Sequence, residues 1–373
     1  MPLLVVGLLL LGLWHRLAVA PGWPWPVKVA IALVVLGLAA LVPAGFDVWG
    51  GRWTPAQMRP WVWTGQAFLA ACVYLFLGLA LLAVAGLVLR LARRGRGDGA
   101  SAVRRLHRVG VPVVVLATAG VVGYGAFVAA RPSITAYEVS SPALPPEFDG
   151  TRVALVTDIH AGAVRSADFT RRVVDLVNSQ QPDLVVIAGD LVDGPADRYG
   201  PEIAPLADLE APLGVYATTG NHEMYRDPGA WVRQFEADGV TVLRNASVAL
   251  ERDGATIRLV GVDDFSGEGD FRPDYDAALA DVAPGDFALL SAHQPRQALA
   301  VEGRGVDVQL SGHTHGGQLW PGRYLVPLQQ PMVDGVATVG DTTVVTSRGA
   351  GAWGPAVRVG ADPEIPVVTL RRS

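Results

Sequence analysis

Three stretches of this 373-residue chain carry no charged side chain: residues 29–46, 60–89 and 109–130, runs of 18, 30 and 22 residues. A helix of about 20 residues crosses the roughly 30 Å apolar core of a bilayer, so each run is long enough to be a transmembrane span. A fourth candidate near the start is interrupted by His15 and Arg16, and Arg16 would have to reach toward a headgroup layer. Residues 1–131 hold 12 basic and only 2 acidic side chains, too little polar surface for four buried helices of a soluble domain. The expected organisation is therefore a transmembrane region over 1–131 with helices near 3–20, 28–46, 65–89 and 109–130. The first run reads as a retained helix rather than a cleaved leader, because no basic residue precedes it and three further spans follow.

The segment between the last two spans carries Arg90, Arg93, Arg94, Arg96, Arg104, Arg105 and Arg108 against Asp98 alone. The positive-inside rule places such a loop in the cytoplasm. The last span then delivers everything after Arg131 to the extracytoplasmic side of a multi-pass membrane protein. The preceding loop, with Trp49, Trp53, Trp61 and Trp63, resembles an interfacial aromatic belt.

Residues 132–373 hold 18 basic and 33 acidic side chains, a poor surface for a phosphate backbone, which argues against a nucleic-acid partner. The single cysteine, Cys72, excludes an intramolecular disulfide and a thiolate metal site. Residues 132–150 are Pro-rich and read as a linker or an opening edge strand, with a second folded domain over 151–373. Short β-branched runs at 152–157, 184–188 and 215–219 alternate with helical spacing at 166–179 and 229–238. Further strand candidates follow at 241–244, 255–261, 286–291, 306–310, 342–347 and 365–370. This order predicts a layered α/β domain of two packed sheets with helices outside. Nothing in it specifies an oligomeric state.

The strand candidates end in chemistry. The first stops at Asp158-Ile159-His160, the second at Gly189-Asp190-Leu191-Val192-Asp193 and the third at Gly220-Asn221-His222-Glu223. Later runs stop at Ser291-Ala292-His293 and at Gly312-His313-Thr314-His315-Gly316. Carboxyl ends of strands are where α/β sheets gather ligands. All five histidines beyond residue 131 lie in these loops, which isolated surface or core imidazoles would not do.

The ordered set DIH, GDLVD, GNHE, AH and GHTH resembles the calcineurin-like metallophosphoesterases, more narrowly their membrane-anchored bacterial branch. The likeness continues through LLSAHQP, LSGHTHGGQLWP and PEIPVVTL. It implies a four-layer fold of two mixed sheets flanked by helices, and two divalent ions, Mn, Fe or Zn. It further implies Asp158, His160, Asp190 and His315 on the first ion, and Asp190, Asn221, His293 and His313 on the second, Asp190 being the bridge. Such mixed carboxylate, imidazole and amide ligands suit hard or borderline cations. A water between two cations is hydroxide near neutral pH, the expected nucleophile for in-line attack at phosphorus. By the same resemblance His222 protonates the leaving oxygen and Asp193 keeps that imidazole oriented and cationic. Glu223 is a rival for that partner, or else a capping or surface carboxylate. Gly189, Gly220, Gly312, Gly316 and Gly317 would allow tight turns.

Weaker features are Asp263-Asp264, which reads as a strand-end turn in preference to a further metal site, and Trp320, Tyr324 and Trp353, which line a substrate face or pack at a rim. Arg226 is a candidate for a phosphate oxygen. The expected function is hydrolysis of a phosphomonoester or phosphodiester, on a membrane-proximal substrate such as a phospholipid or lipid-linked sugar phosphate. Alternatives are a hydrolase of small soluble phosphates such as nucleotides, and a membrane sensor or scaffold with a degenerate domain.

Overall fold

The structure is a computed structural model describing residues 2–46 and 53–373. The chain divides into two compact units, one of Met1–Trp53 with Gln57–Ala126 and one of Thr54–Ala56 with Phe127–Ser373.

The first unit holds the helices α1 (Pro2–Trp14), α2 (Trp25–Leu41), α3 (Pro55–Ala92) and most of α4 (Gly99–Ala129). They are apolar on every side. Leu13, Val35, Phe68, Leu75, Leu79 and Val111 form an inner seam, while Leu33, Leu36, Leu81, Leu87 and Leu116 point outward and are exposed. Apolar side chains all around a helix require a nonaqueous surrounding. Of the four expected spans, three are long and apolar enough to cross a membrane: Trp25–Gly45, Pro55–Ala92 and Gly99–Ala129. The first is a shorter apolar helix, Leu4–Val19, whose regular winding gives way to a π-helical turn at His15–Val19, where the polar pair interrupts the run.

Two boundaries differ from expectation. Helix α3 begins at Pro55, with proline at a position where a missing N–H costs nothing, so Trp61 and Trp63 sit on its opening turns and not in a loop. Trp53 precedes it and Trp49 lies outside the described residues. Helix α4 begins ten residues before its apolar run, so Arg104, Arg105 and Arg108 are helical. Asp98 starts it, its carbonyl accepting from Ala102 N while its carboxylate pairs with Arg93 at 2.5 Å.

In the second unit the strands are β1 (Ser133–Ser141), β2 (Arg152–Val156), β3 (Leu184–Ala188), β4 (Val215–Thr218), β5 (Thr241–Val242) and β6 (Ala246–Arg252). They continue as β7 (Ala255–Gly261), β8 (Ala288–Ser291), β9 (Val308–Ser311), β10 (Gly335–Val339), β11 (Thr342–Thr346) and β12 (Glu364–Arg372). Two six-stranded mixed sheets result, ordered β1-β12-β2-β3-β4-β5 and β10-β11-β9-β8-β7-β6. Part of the supposed linker, 133–141, is thus the edge strand β1, paired in parallel with β12 along its whole length.

Alternation packs the sheets together. Val153, Leu155, Leu184 and Val186 on one sheet meet Ile257, Leu259, Leu289, Val308 and Leu310 on the other, all essentially buried. Each such side chain contributes about 1.5–3 kcal/mol. Outside the first sheet lie α5 (Ala167–Ser179), α6 (Ala196–Ile203) and α8 (Pro228–Ala237), between which the single turn α7 (Asn221–Met224) intervenes. Helix α5 buries Phe169, Val173, Val174 and Val177, a one-sided stripe. The second sheet is covered by the turn α9 (Tyr275–Ala278) and the 3₁₀ segment Pro295–Ala300. Leu155→Ala should lower the stability of the solubilised protein by about 2–5 kcal/mol. Thr338→Ala, on the exposed face of β10, should change it by less than about 0.5 kcal/mol in the same denaturation experiment.

Candidate metal centre

Strands β2, β3 and β4 are parallel neighbours in one sheet, and β7, β8 and β9 in the other. Their carboxyl ends share one end of the sandwich, and two or three residues beyond them come Asp158, Asp190, Asn221, His293 and His313. The chain turns sharply there. Asp158, His160, Asp190, His313 and His315 all adopt positive φ, between 51° and 71°. That backbone costs about 1–3 kcal/mol per non-glycine residue and persists only where neighbours hold it. Here Asp158 N donates to Gly189 O, His160 N to Asp190 O and Gly351 N to Asp158 O. Two loops can meet only because they carry glycines: a Cβ on Gly189 would lie 2.4 Å from Gly220 N.

The nine ligand and catalytic residues expected from sequence lie in one cluster. Asp158, His160 and His315 form one group, Asp190, His293 and His313 a second, and His160, Asp193 and His222 a third. Asn221 joins the second, its Oδ1 3.1 Å from His293 Nε2 and 2.9 Å from His313 Nδ1. Asp190 Oδ2 stands 3.1 Å from His293 Nε2 and 3.9 Å from His160 Nε2, between the groups.

Ring protons can be assigned from partners that only accept. His293 Nδ1 is 2.8 Å from Ala188 O and therefore carries the proton of the neutral ring, so the Nε2 lone pair faces Asn221 Oδ1, Asp190 Oδ2 and His313 Nδ1. His160 Nδ1 likewise donates to Asp193 Oδ1 at 2.8 Å, so its Nε2 lone pair faces His315 Nε2 at 3.1 Å. Converging lone pairs repel unless a cation lies among them. Donors bound at about 2.1 Å in tetrahedral or octahedral arrangement are about 3.0–3.4 Å apart, and the second group spans 2.9–3.2 Å. The first spans 3.1–3.9 Å. The second set matches that spacing, and the first does so except along the 3.9 Å edge between His160 and Asp158, so both offer a divalent cation a set of converging donors.

His222 Nδ1 is 2.7 Å from Asp193 Oδ1, which leaves Nε2 without a hydrogen-bond partner among the described residues. Burial pulls the His222 pKa down, but the charge of Asp190 and the hydrogen bond and charge of Asp193 outweigh it and raise it to about 9. Asp193 is held below the usual carboxylate range, its burial overcome by His160 and His222.

Glu223 is neither a surface group nor the partner of His222. It is fully buried and accepts from Gly220 N at 2.6 Å, Leu191 N at 2.9 Å and Asp190 N at 3.0 Å, a cap that ties the β3 and β4 loops together. Burial first, then the charge of Asp190, pushes it up to about 7. Asp263 and Asp264 form a buried turn, Asp263 paired with Arg244 at 3.1 Å and Asp264 capping Ser266 N at 2.8 Å. Arg226, Trp320, Tyr324 and Trp353 are exposed, the Trp353 ring 6.5 Å from that of His222.

Three residues at the centre escaped the sequence reading. Arg358 is completely buried, donates to the carbonyls of Gly351, Arg348 and His315, and places Nη2 3.1 Å from His315 Nδ1. Arg165 is buried with its charge near Asp193 and its Nε unpartnered. Tyr225 accepts from Asn221 Nδ2 at 2.9 Å, which turns the amide oxygen toward the histidines. Arginine and tyrosine in Gly- and Ala-rich loops normally read as surface, so no local signal marks them.

Residues 151–317 match the family model for calcineurin-like phosphoesterases. The chain is 32% identical to an uncharacterized metallophosphoesterase of Bacillus subtilis over 247 residues, 64% of this chain and 85% of that one. It is 34% identical to a bovine transmembrane protein with a metallophosphoesterase domain over 75% of this chain and 66% of that one. It is 33% identical to an uncharacterized metallophosphoesterase of Campylobacter jejuni over 64% and 63%. The last two matches thus take in slightly less than two thirds of those relatives. The chain belongs to the calcineurin-like metallophosphoesterases, a family that uses two divalent metal ions. Glu223→Gln would replace one of the two accepting oxygens with an amide donor and set it against at least one of the backbone N–H groups. The expected result is a stability loss of about 1–3 kcal/mol and weaker Mn²⁺ binding by calorimetry, because Asp190 loses its anchor.

Proposed function

We propose that this protein is a membrane-bound two-metal phosphoesterase that hydrolyses a P–O bond of a phosphomonoester or phosphodiester. Asp158, His160, Asp190 and His315 hold one cation, and Asp190, Asn221, His293 and His313 the other. The supporting observation is the pair of lone-pair clusters on either side of Asp190 Oδ2, beside an imidazole whose outer nitrogen has no hydrogen-bond partner among the described residues. When bound, two divalent cations polarise a phosphoryl oxygen and make water a competent nucleophile at neutral pH.

The chain supplies orientation and a proton. Asp193 fixes His222 through Nδ1, so the protonated Nε2 is presented to the leaving oxygen. The same Asp193 oxygen holds His160, so one carboxylate aligns a metal ligand and the acid together. Arg358 braces His315 from behind. The arginine-rich segment between α3 and α4 supports a cytoplasmic position for that loop and, with it, a catalytic domain outside the cell membrane. A tethered enzyme there is suited to membrane-proximal esters such as phospholipids or lipid-linked sugar phosphates.

Purified full-length protein should hydrolyse bis(p-nitrophenyl) phosphate with added Mn²⁺ and fail without metal, and Asp190→Asn should reduce turnover at least about a hundredfold. Absence of bound metal under every condition would instead favour the sensor or scaffold reading. Asp193→Asn should keep the metal yet lower kcat by about 10²-fold or more. His222 serves as an acid only while protonated, so activity falls as pH rises through its pKa. Removal of the Asp193 charge lowers that pKa, and a pH–rate profile should show the alkaline limb moved to lower pH. Protease added outside intact cells should cleave the C-terminal half; full protection there would refute the topology.

A further inference from the structure

The path of the chain fixes the end at which it enters the catalytic domain. Helix α4 ends at Ala129 and β1 begins at Ser133, so the domain starts no more than about 15 Å from the end of a membrane-crossing helix. Strand β1 is parallel to β12, with Ser133 opposite Glu364, and β12 is antiparallel to β2. The chain therefore enters the sandwich at the end where β2, β3 and β4 terminate, the end that carries the metal-binding loops.

The same end exposes large apolar side chains. The loop between β9 and β10 presents Trp320, Tyr324, Leu325 and Leu328, the last two 64% and 79% exposed, and the loop between β11 and β12 presents Trp353 at 52%. These loops are fastened to each other: Trp320 N donates to Val359 O, and Gln318 Nε2 to Trp353 O. These bonds join the apolar tips into one surface. Trp and Tyr favour the layer between water and acyl chains, and leucines beyond them favour the chains.

We infer that residues 319–330 and Trp353 seat in the headgroup layer of the bilayer that the chain's own helices cross, so that the metal centre opens onto the membrane and takes phosphate esters carried by lipids. The occupant is a lipid surface because the chain passes into this face, with only three residues between, from a helix long and apolar enough to cross a membrane. The substrate clause rests on the proposed hydrolase; the docking itself rests on chain path and exposure.

The test uses full-length protein in phosphatidylcholine nanodiscs doped with phosphatidic acid and phosphatidylglycerol. In a Cys72→Ala background, a spin label at Leu328→Cys should collide more with oxygen than with an aqueous nickel chelate. A label at Glu251→Cys, at the opposite end of the sandwich, should show the reverse. A fully aqueous label at 328 would overturn the docking, and so would a label shielded from both probes with dipolar broadening, which would mean a second copy covers the face. In a second measurement, Leu325→Glu/Leu328→Glu should keep its turnover of bis(p-nitrophenyl) phosphate and lose about tenfold or more on the lipid phosphates. Equal rates on the lipids would sink the substrate clause. Wild type inactive on every ester would refute the hydrolase reading instead, with the spin labels still deciding where the loop sits.

Discussion

Everything about the catalytic unit depends on holding together groups that repel. Asp158 and Asp190 are buried side by side, and the lone pairs of four imidazoles and an amide oxygen converge on them within about 3–4 Å. Burial, together with the charge of Asp190, pushes the Asp158 pKa up, while for Asp190 burial is overcome by His293 and His222, which pull its pKa well down, so the two carboxylates are driven apart. Such a cluster is stable only when positive charge enters it, as protons or as cations, and the spacing of the donors suits cations.

The fold holds this arrangement by local strain and by distant packing. Five left-handed residues and a glycine-to-glycine approach, each costly or neutral alone, set the loop shapes together with the Glu223 clamp that ties two of the loops. The apolar interface between the two sheets offsets those costs, because the strands whose side chains fill it are the strands whose ends carry the ligands. Stability and chemistry are thus separated along each strand by two or three residues. Arg358 follows the same logic, with a buried charge balanced by backbone carbonyls that also hold the loop carrying His315.

The helical unit obeys a different solvent. Among the described residues its exposed leucines and valines outnumber its buried ones, and only a lipid environment makes that surface ordinary. Helix α3 starts ahead of its expected span and α4 ahead of its charge-free run, which puts tryptophans at one helix end and arginines at another, residue types that suit headgroup layers.

The sequence by itself determined the chemistry. Ligand types at strand ends, the apolar runs and the β2, β3, β4, β7, β8, β9, β11 and β12 strands are all local patterns, and the structure places them as the periodicity requires. Hairpin strands β6 and β10 went unread although Asp253-Gly254 and Gly340-Asp341 are two-residue turn signals, because their own side chains are mixed and half exposed. β1 was ambiguous for the same reason, an edge strand whose partner is 231 residues away, Ser133 opposite Glu364. Only tertiary structure decided that Glu223 clamps two loops, that Arg165 and Arg358 are buried at the centre, and that the chain enters beside the metal-binding loops. Burial of a charge and the end of a sheet at which a strand begins are properties of contacts between distant segments, and no local spacing encodes them.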